Sequence, residues 1–360
     1  MPSFLDKLQT SHTFEPPNHW FKIKTIDMHT GGEPLRVIID GFPVLEGSSV
    51  LEYRNFFKNN YDHLRLALMH EPRGHADMYG CILLPPNDKE ADFGILFLHN
   101  EGYSTMCGHA IIAISNLAIK MKWVEVTSPE THIKIDAPCG RINSFVKIKN
   151  GKVESVYFHC VPSFVVALDE EIEVEDLGNI KYDLAYGGAF YAYVDSDKLG
   201  IPLVPENYSL LLQKGMAIKR AIMNSDIKIK HPFEEDLNFL YGTIFIGGPV
   251  SEGLDSRNVC IFANGEMDRS PTGSGVSGRM AIHFKRNEVD FGETMTIESI
   301  TGSVFKGSIV REEKYGNFDA VIPQVEGTAH ITGQHEFLID PDDPFKFGFF
   351  FKVKNNQFYY

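Results

Sequence analysis

The 360-residue chain has no apolar run near the ~20 residues that a membrane-spanning helix needs. Its first twenty residues carry Asp6, Glu15, Pro16 and Pro17 and no long apolar stretch, so no secretory leader is expected. Paired cysteines are missing too. Cys81, Cys107, Cys139, Cys160 and Cys260 are scattered without a Cys-x-x-Cys pair, which suits a reducing compartment, and the expected location is cytoplasmic. Positive charge is scarce: 34 Lys and Arg face 48 Asp and Glu, for a net charge of −14 with no basic stripe. That excludes a nucleic-acid or anionic-membrane partner. No Gly-x-x-x-x-Gly-Lys-[Ser/Thr] loop is present, and no Rossmann fingerprint is read, so neither a nucleotide nor a nicotinamide or flavin is expected. His70, His75 and Asp77 match neither a helical His-Glu-x-x-His nor a Cys/His zinc spacing, and a structural role is expected for them. The same structural reading applies to Cys81, Cys139, Cys160 and Cys260. The expected cofactor is none: no metal and no pyridoxal phosphate.

What the chain does contain is an ordered set of repeated landmarks. Thr30-Gly31-Gly32-Glu33-Pro34 is answered by Tyr186-Gly187-Gly188-Ala189-Phe190, and each precedes a strand-like run, Leu35 to Ile39 and Tyr191 to Val194. Helical spacing follows over Tyr61 to Met69 and Tyr208 to Ile222. Tyr79-Gly80-Cys81-Ile82-Leu83 then matches Tyr241-Gly242-Thr243-Ile244-Phe245, and the apolar strands Gly94 to Leu98 and Val259 to Phe262 lead into Asn- and Gly-containing turns. Gly31 and Gly187, Tyr79 and Tyr241, and Cys107 and Thr272 are offset by 156, 162 and 165 residues. Short glycine motifs recur in any α/β protein, but an ordered series of them marks a divergent duplication. Strand-like runs at Ile133 to Ile135, Ser144 to Ile148, Val153 to His159 and Met295 to Ile300 outnumber the helices. The expected fold is α/β (α+β): two equivalent domains, each a curved, mainly antiparallel sheet packed around one helix. The halves are placed at 1–182 and 183–345, with a tail at 346–360 packing back on the first.

Each half ends its series in a loop-to-helix corner. The first reads Met106-Cys107-Gly108-His109 and runs into apolar Ala110 to Ile119; the second reads Asp268-Arg269-Ser270-Pro271-Thr272-Gly273-Ser274-Gly275 and runs into Val276 to Phe284. A helix start leaves backbone N–H groups unpaired at the positive end of its dipole, which makes an anion site. Two such starts facing one cleft suit a small carboxylate. Gly108, Gly273 and Ser274 let the backbone approach a ligand closely. The same field is expected to lower the Cys107 thiol toward the thiolate. Asp268 is placed to pair with an amine on the same ligand, and His109 to orient the thiol or bond that amine. The set describes a receptor for a small amino acid with a base over its α-carbon. A thiol is a usable base; the Thr272 hydroxyl opposite is not, unless something activates it.

At these residues the chain resembles the proline racemase family. The matching text is Asp27-Met28-His29-Thr30-Gly31-Gly32-Glu33-Pro34, Arg73-Gly74-His75-Ala76-Asp77-Met78-Tyr79-Gly80, Met106-Cys107-Gly108-His109, Gly187-Gly188-Ala189-Phe190-Tyr191 and Asp268-Arg269-Ser270-Pro271, within roughly residues 20 to 350. Ile331-Thr332-Gly333 and Asp340-Pro341-Asp342-Asp343-Pro344 match as well. The resemblance implies a diaminopimelate epimerase-like architecture with the site between the domains, no cofactor, and a homodimer. It implies Cys107 as proton acceptor, with Gly108, His109, Asp268, Gly273 and Ser274 around a hydroxyproline substrate.

Racemising and epimerising members carry a second cysteine where this chain has Thr272. That departure is similar to the members that dehydrate trans-3-hydroxy-L-proline, and the expected activity is a hydro-lyase yielding Δ1-pyrroline-2-carboxylate. The alternatives are a proline racemase or hydroxyproline 2-epimerase, in which water or Thr272 acts as second acid, and a non-catalytic amino-acid-binding protein. A cysteine hydrolase using Cys107 and His109 lacks a third orienting partner and a separate oxyanion loop.

Overall fold

The computed structural model describes residues 3–10, 14–351, 353–354 and 357–358. The first half runs α1 (Phe4–Thr10), β1 (Phe21–Thr30), β2 (Glu33–Asp40), α2 (Val50–Asn60), α3 (Asp62–Met69), β3 (Tyr79–Leu84), β4 (Phe93–His99) and β5 (Gly102–Ser104). It continues with α4 (Gly108–Lys120), β6 (Glu130–Ala137), β7 (Gly140–Lys149), β8 (Lys152–His159) and β9 (Ser163–Val174). The second half runs β10 (Gly178–Tyr186), β11 (Phe190–Asp195), α5 (Tyr208–Met223), β12 (Leu240–Gly247), β13 (Ser256–Phe262) and β14 (Glu266–Met267). It ends with α6 (Gly273–Lys285), β15 (Met295–Glu298), β16 (Val304–Tyr315), β17 (Phe318–Gly327) and β18 (Ala329–Ile339).

The duplication read from glycine landmarks is written into the strand pairing. β1–β2 is antiparallel, β2–β3 parallel, β3–β4 and β4–β5 antiparallel, β4–β6 parallel, and β6–β7–β8 antiparallel. The second half repeats that order from β10–β11 through β11–β12, β12–β13–β14 and β13–β15 to β15–β16–β17. The last strand of each repeat crosses over: β9 pairs with β10 of the second half, and β18 returns to pair with β1. β8 and β17 join the two halves directly.

Each repeat closes around one helix. From Gly108 to Ala118, α4 is buried on every face, because Ala110, Ile111, Ile112, Ala113, Ile114 and Leu117 leave it no polar stripe. β1, β2, β7, β8, β17 and β18 surround it, while β9, β10, β11, β16 and β17 surround α6. A second apolar cluster under α2 and α3 packs Phe57, Leu64, Leu68 and Met69 against Leu96 and Leu98 of β4. The described part of the tail touches the first half, with the Phe349 N–H donating to the Glu71 carbonyl at 2.8 Å and the Arg73 guanidinium to that of Lys346 at 3.1 Å. The rest of the 346–360 expectation includes residues outside the described ones. No described helix is long and apolar enough to cross a membrane.

Candidate active site

The two corners meet nose to nose. A Cβ added at Gly108 would lie 2.5 Å from the Gly273 Cα, and one at Gly273 would lie 2.6 Å from the Gly108 Cα. Only residues without a side chain let these helix ends abut. The first intrahelical bonds are Ile111 N–H to the Cys107 carbonyl at 3.0 Å and Val276 N–H to the Thr272 carbonyl at 2.7 Å. The amides of residues 108–110 and 273–275 thus have no partner within their own helices.

Cys107 and Thr272 are the N-cap residues of α4 and α6, both buried. Their backbones differ. Cys107 is extended (φ −145°), whereas Thr272 sits at φ +66°, ψ 96°, a region that a β-branched residue occupies at a cost of roughly 1–3 kcal/mol. Side chains hold it there. The Thr272 hydroxyl donates to Asp268 Oδ2 at 2.8 Å, the Thr272 N–H donates to Ser270 Oγ at 3.1 Å, and the Ser270 N–H donates to Asp268 Oδ1 at 2.7 Å.

His109 Nδ1 lies 3.1 Å from Cys107 Sγ. Burial pushes the imidazole down to about 3, against the Pro34 carbonyl, so it is neutral. The expectation of a lowered thiol is corrected. Burial raises Cys107 well above its ordinary value; the Ala110 N–H and Tyr79 hydroxyl pull it back, and Asp268 and Glu33 push it up again. Desolvation is the largest influence on the thiol in this shut site.

The cavity is lined by Cys107, Gly108, His109, Asp268, Thr272, Gly273 and Ser274, so every residue singled out in the sequence comes together. The Ser274 hydroxyl is engaged with that of Tyr191 at 2.8 Å, which leaves its backbone N–H for a ligand. Glu33, Tyr79, Met106, Tyr191, Tyr241, Cys260 and Phe262 complete the wall. Cys260, expected to be merely structural, is therefore at the site. Tyr79 and Tyr241 are the duplicated pair, and Glu33 belongs to the repeated Gly-Gly motif, so position within the repeat was the signal that could have flagged them. The enclosed space is only about 20 Å³, room for one water-sized body. That is smaller than a five-membered ring.

Two other sequence features resolve here. Gly273-Ser274-Gly275-Val276-Ser277-Gly278 does spell Gly-x-Gly-x-x-Gly, which corrects the expectation that no such fingerprint occurs. It opens α6 after the two-residue, antiparallel β14 rather than between parallel strands, and its first glycine abuts Gly108. That is not the strand–turn–helix setting of a dinucleotide fold. Asp77 bridges to Arg269 of the other half at 2.7 Å, and a His70 ring nitrogen lies 2.8 Å from the Asn100 carbonyl.

A duplicated, strand-exchanged fold with a cysteine at the point where two buried helix starts meet defines a class by its architecture, that of the proline and hydroxyproline epimerases. The proline racemase family profile matches residues 25–350, and the chain belongs to that family. It is 49% identical over 330 residues to a trans-3-hydroxy-L-proline dehydratase of Colwellia psychrerythraea, covering 92% of this chain and 93% of the relative. It is 43% identical to a 3-hydroxyproline 2-epimerase of Burkholderia multivorans, covering 91% and 97%. The crystal structure of a hydroxyproline epimerase from Agrobacterium vitis with bound trans-4-hydroxy-L-proline superposes with a TM-score of 0.82 at 30% identity, over 91% of this chain and 95% of that one.

Proposed function

We propose that this protein removes water from trans-3-hydroxy-L-proline to give Δ1-pyrroline-2-carboxylate, with Cys107 taking the α-proton. Identity does not separate dehydratase from epimerase, since relatives of both names lie within a few per cent of each other. The carrying observation is the residue opposite Cys107: a neutral hydroxyl whose proton is already committed to Asp268 at 2.8 Å. Such a group neither delivers nor accepts a proton readily at neutral pH, so inversion at the α-carbon lacks its second partner. Elimination needs none.

The substrate carboxylate lies against the amides at the starts of α4 and α6, and its ring ammonium faces Asp268. The Cys107 thiol gives its proton up to solvent as the substrate docks, with neutral His109 beside the sulfur at 3.1 Å to hold the thiolate. The thiolate removes the α-hydrogen, and the helix-end amides stabilise the charge that moves into the carboxylate. In the trans isomer the 3-hydroxyl lies on the same ring face as that hydrogen. The newly formed thiol then protonates the departing hydroxyl, one group serving as base and then acid. Water leaves, the C2–C3 enamine forms, and it tautomerises to the imine. We take the reaction to need no cofactor, the halves 1–182 and 183–345 to act as the opening domains, and the protein to work as a cytoplasmic homodimer.

Purified protein with trans-3-hydroxy-L-proline and no additive is expected to form the pyrroline carboxylate, while L-proline in D2O keeps its optical rotation. Cys107→Ser is expected to lose at least about 10²-fold, the range for a lost acid–base group. Thr272→Cys is expected to gain α-deuterium exchange with inversion. Inversion of L-proline by the unaltered protein would instead establish the epimerase reading.

A further inference from the structure

Glu33 carries chemistry that the proposed reaction has not used. It opens β2 directly after the Gly31-Gly32 turn and has no exposed surface. Its Oε2 accepts the Arg269 N–H at 2.7 Å, which fixes the carboxyl beside Asp268. Its Oε1 has no hydrogen-bond partner among the described residues, although Glu33 lines the same cavity as Cys107, Asp268 and Thr272. A buried, unpartnered carboxyl oxygen is expensive, and at a site wall it is a place kept for a ligand's donor.

Asp268 supplies the second half of the arrangement. Its two oxygens already accept from the Ser270 N–H and the Thr272 hydroxyl, which locks its plane and leaves each oxygen a spare lone pair. Two carboxyls with spare acceptor capacity thus converge on one small cavity. The ring nitrogen of a proline-type substrate, as a secondary ammonium, carries two N–H donors. The numbers match.

We infer that Glu33 is the second acceptor for the substrate's ring ammonium, one N–H going to Asp268 and the other to Glu33 Oε1. The inference rests on the proline-type substrate proposed above. The groups acting on Glu33 are Asp268 and Arg269 on the loop before α6, Asp77 ahead of β3, and the thiols of Cys107 and Cys260. The one cation among them, Arg269, pairs with Asp77 at 2.7 Å and also pulls the Glu33 carboxyl down. Burial first, then Asp268, pushes Glu33 well above the usual carboxylate range against the pull of Arg269, and we take it to hold a proton in the free site. The ammonium replaces that proton's charge: neutral Glu33 plus cationic substrate gives the ion pair and one proton to solvent.

The test is calorimetric binding of trans-3-hydroxy-L-proline to Cys107→Ala protein, which cannot turn the ligand over, in buffers of different ionisation enthalpy. Release approaching one proton per ligand is expected at pH 7. In the same background Glu33→Gln is expected to abolish that release and weaken binding at least tenfold. Glu33→Asp is expected to restore release at lower affinity. Tetrahydrofuran-2-carboxylate, whose ring oxygen offers no N–H, is expected to bind weakly and equally with Glu33 or Gln. Unchanged affinity and proton release in folded Glu33→Gln protein would overturn the assignment. So would an unchanged KM with a collapsed kcat for Glu33→Gln alone, which would place Glu33 at the leaving hydroxyl. If neither trans-3-hydroxy-L-proline nor L-proline binds even with Glu33 intact, the substrate reading itself falls and takes this inference with it.

Discussion

Cys107 and Thr272 hold equivalent places on their helices with different backbones, and the difference has a cost. Thr272 remains at φ +66° because Asp268 and Ser270 grip both its hydroxyl and its amide. Glu33 is the costlier residue. Its carboxyl resists ionisation when folded, so its contribution is neutral while the unfolded chain is also protonated, below about pH 4.5. As pH rises, the unfolded carboxyl ionises and the folded one does not, and stability is lost until the folded carboxyl ionises too. Glu33→Gln should therefore raise the melting temperature at pH 8 and leave it nearly unchanged at pH 4. Thermal melts at the two pH values check the sign.

At the scale of elements, the site depends on two helix starts in van der Waals contact. The corner motifs were legible in the sequence because loop, glycine and apolar run occur in the same order twice. The contact was not, since nothing local says that Gly108 faces Gly273. Gly108→Ala puts a methyl 2.5 Å from the Gly273 Cα. With both sides backbone, the helices must separate, at a stability cost of about 1–3 kcal/mol. An ångström of displacement at Cys107 should cost activity on the order of 10²-fold. Urea titration together with turnover of trans-3-hydroxy-L-proline measures both. Among the other elements, α5 matches the helical spacing from Tyr208 closely, while α2 was passed over. Its signal was present: Ser49 accepts from the Glu52 N–H, and Glu52 in turn accepts from Ser48, close to a capping box.

At the scale of the whole molecule, the halves are stitched by exchanged strands and by polar contacts around the cleft. His99 and Glu266 meet at 3.1 Å, Arg269 and Asp77 at 2.7 Å, and Arg54 and Asp236 at 2.8 Å. The strand exchange has a direct consequence. Expressed alone, residues 1–182 lack β18, so β1 presents an unpaired edge along the register Phe21 to Thr30. That fragment should be insoluble or aggregated by size-exclusion chromatography, and co-expression with residues 183–360 should recover a soluble species. Folding of the fragment alone to a monomer would mean that the exchange contributes little.

The sequence by itself determined the duplication, the helix starts, and the identity of the residues at each corner, because these depend on local chemistry repeated along the chain. It therefore determined that a thiol is answered by an alcohol. Only the tertiary structure decided what surrounds that pair. Burial raises the Cys107 thiol; Glu33 arrives from the start of β2 with an open oxygen; and Cys260 reaches the wall of the site. Desolvation and convergence are properties of many residues packed together, and no single stretch of the chain carries them.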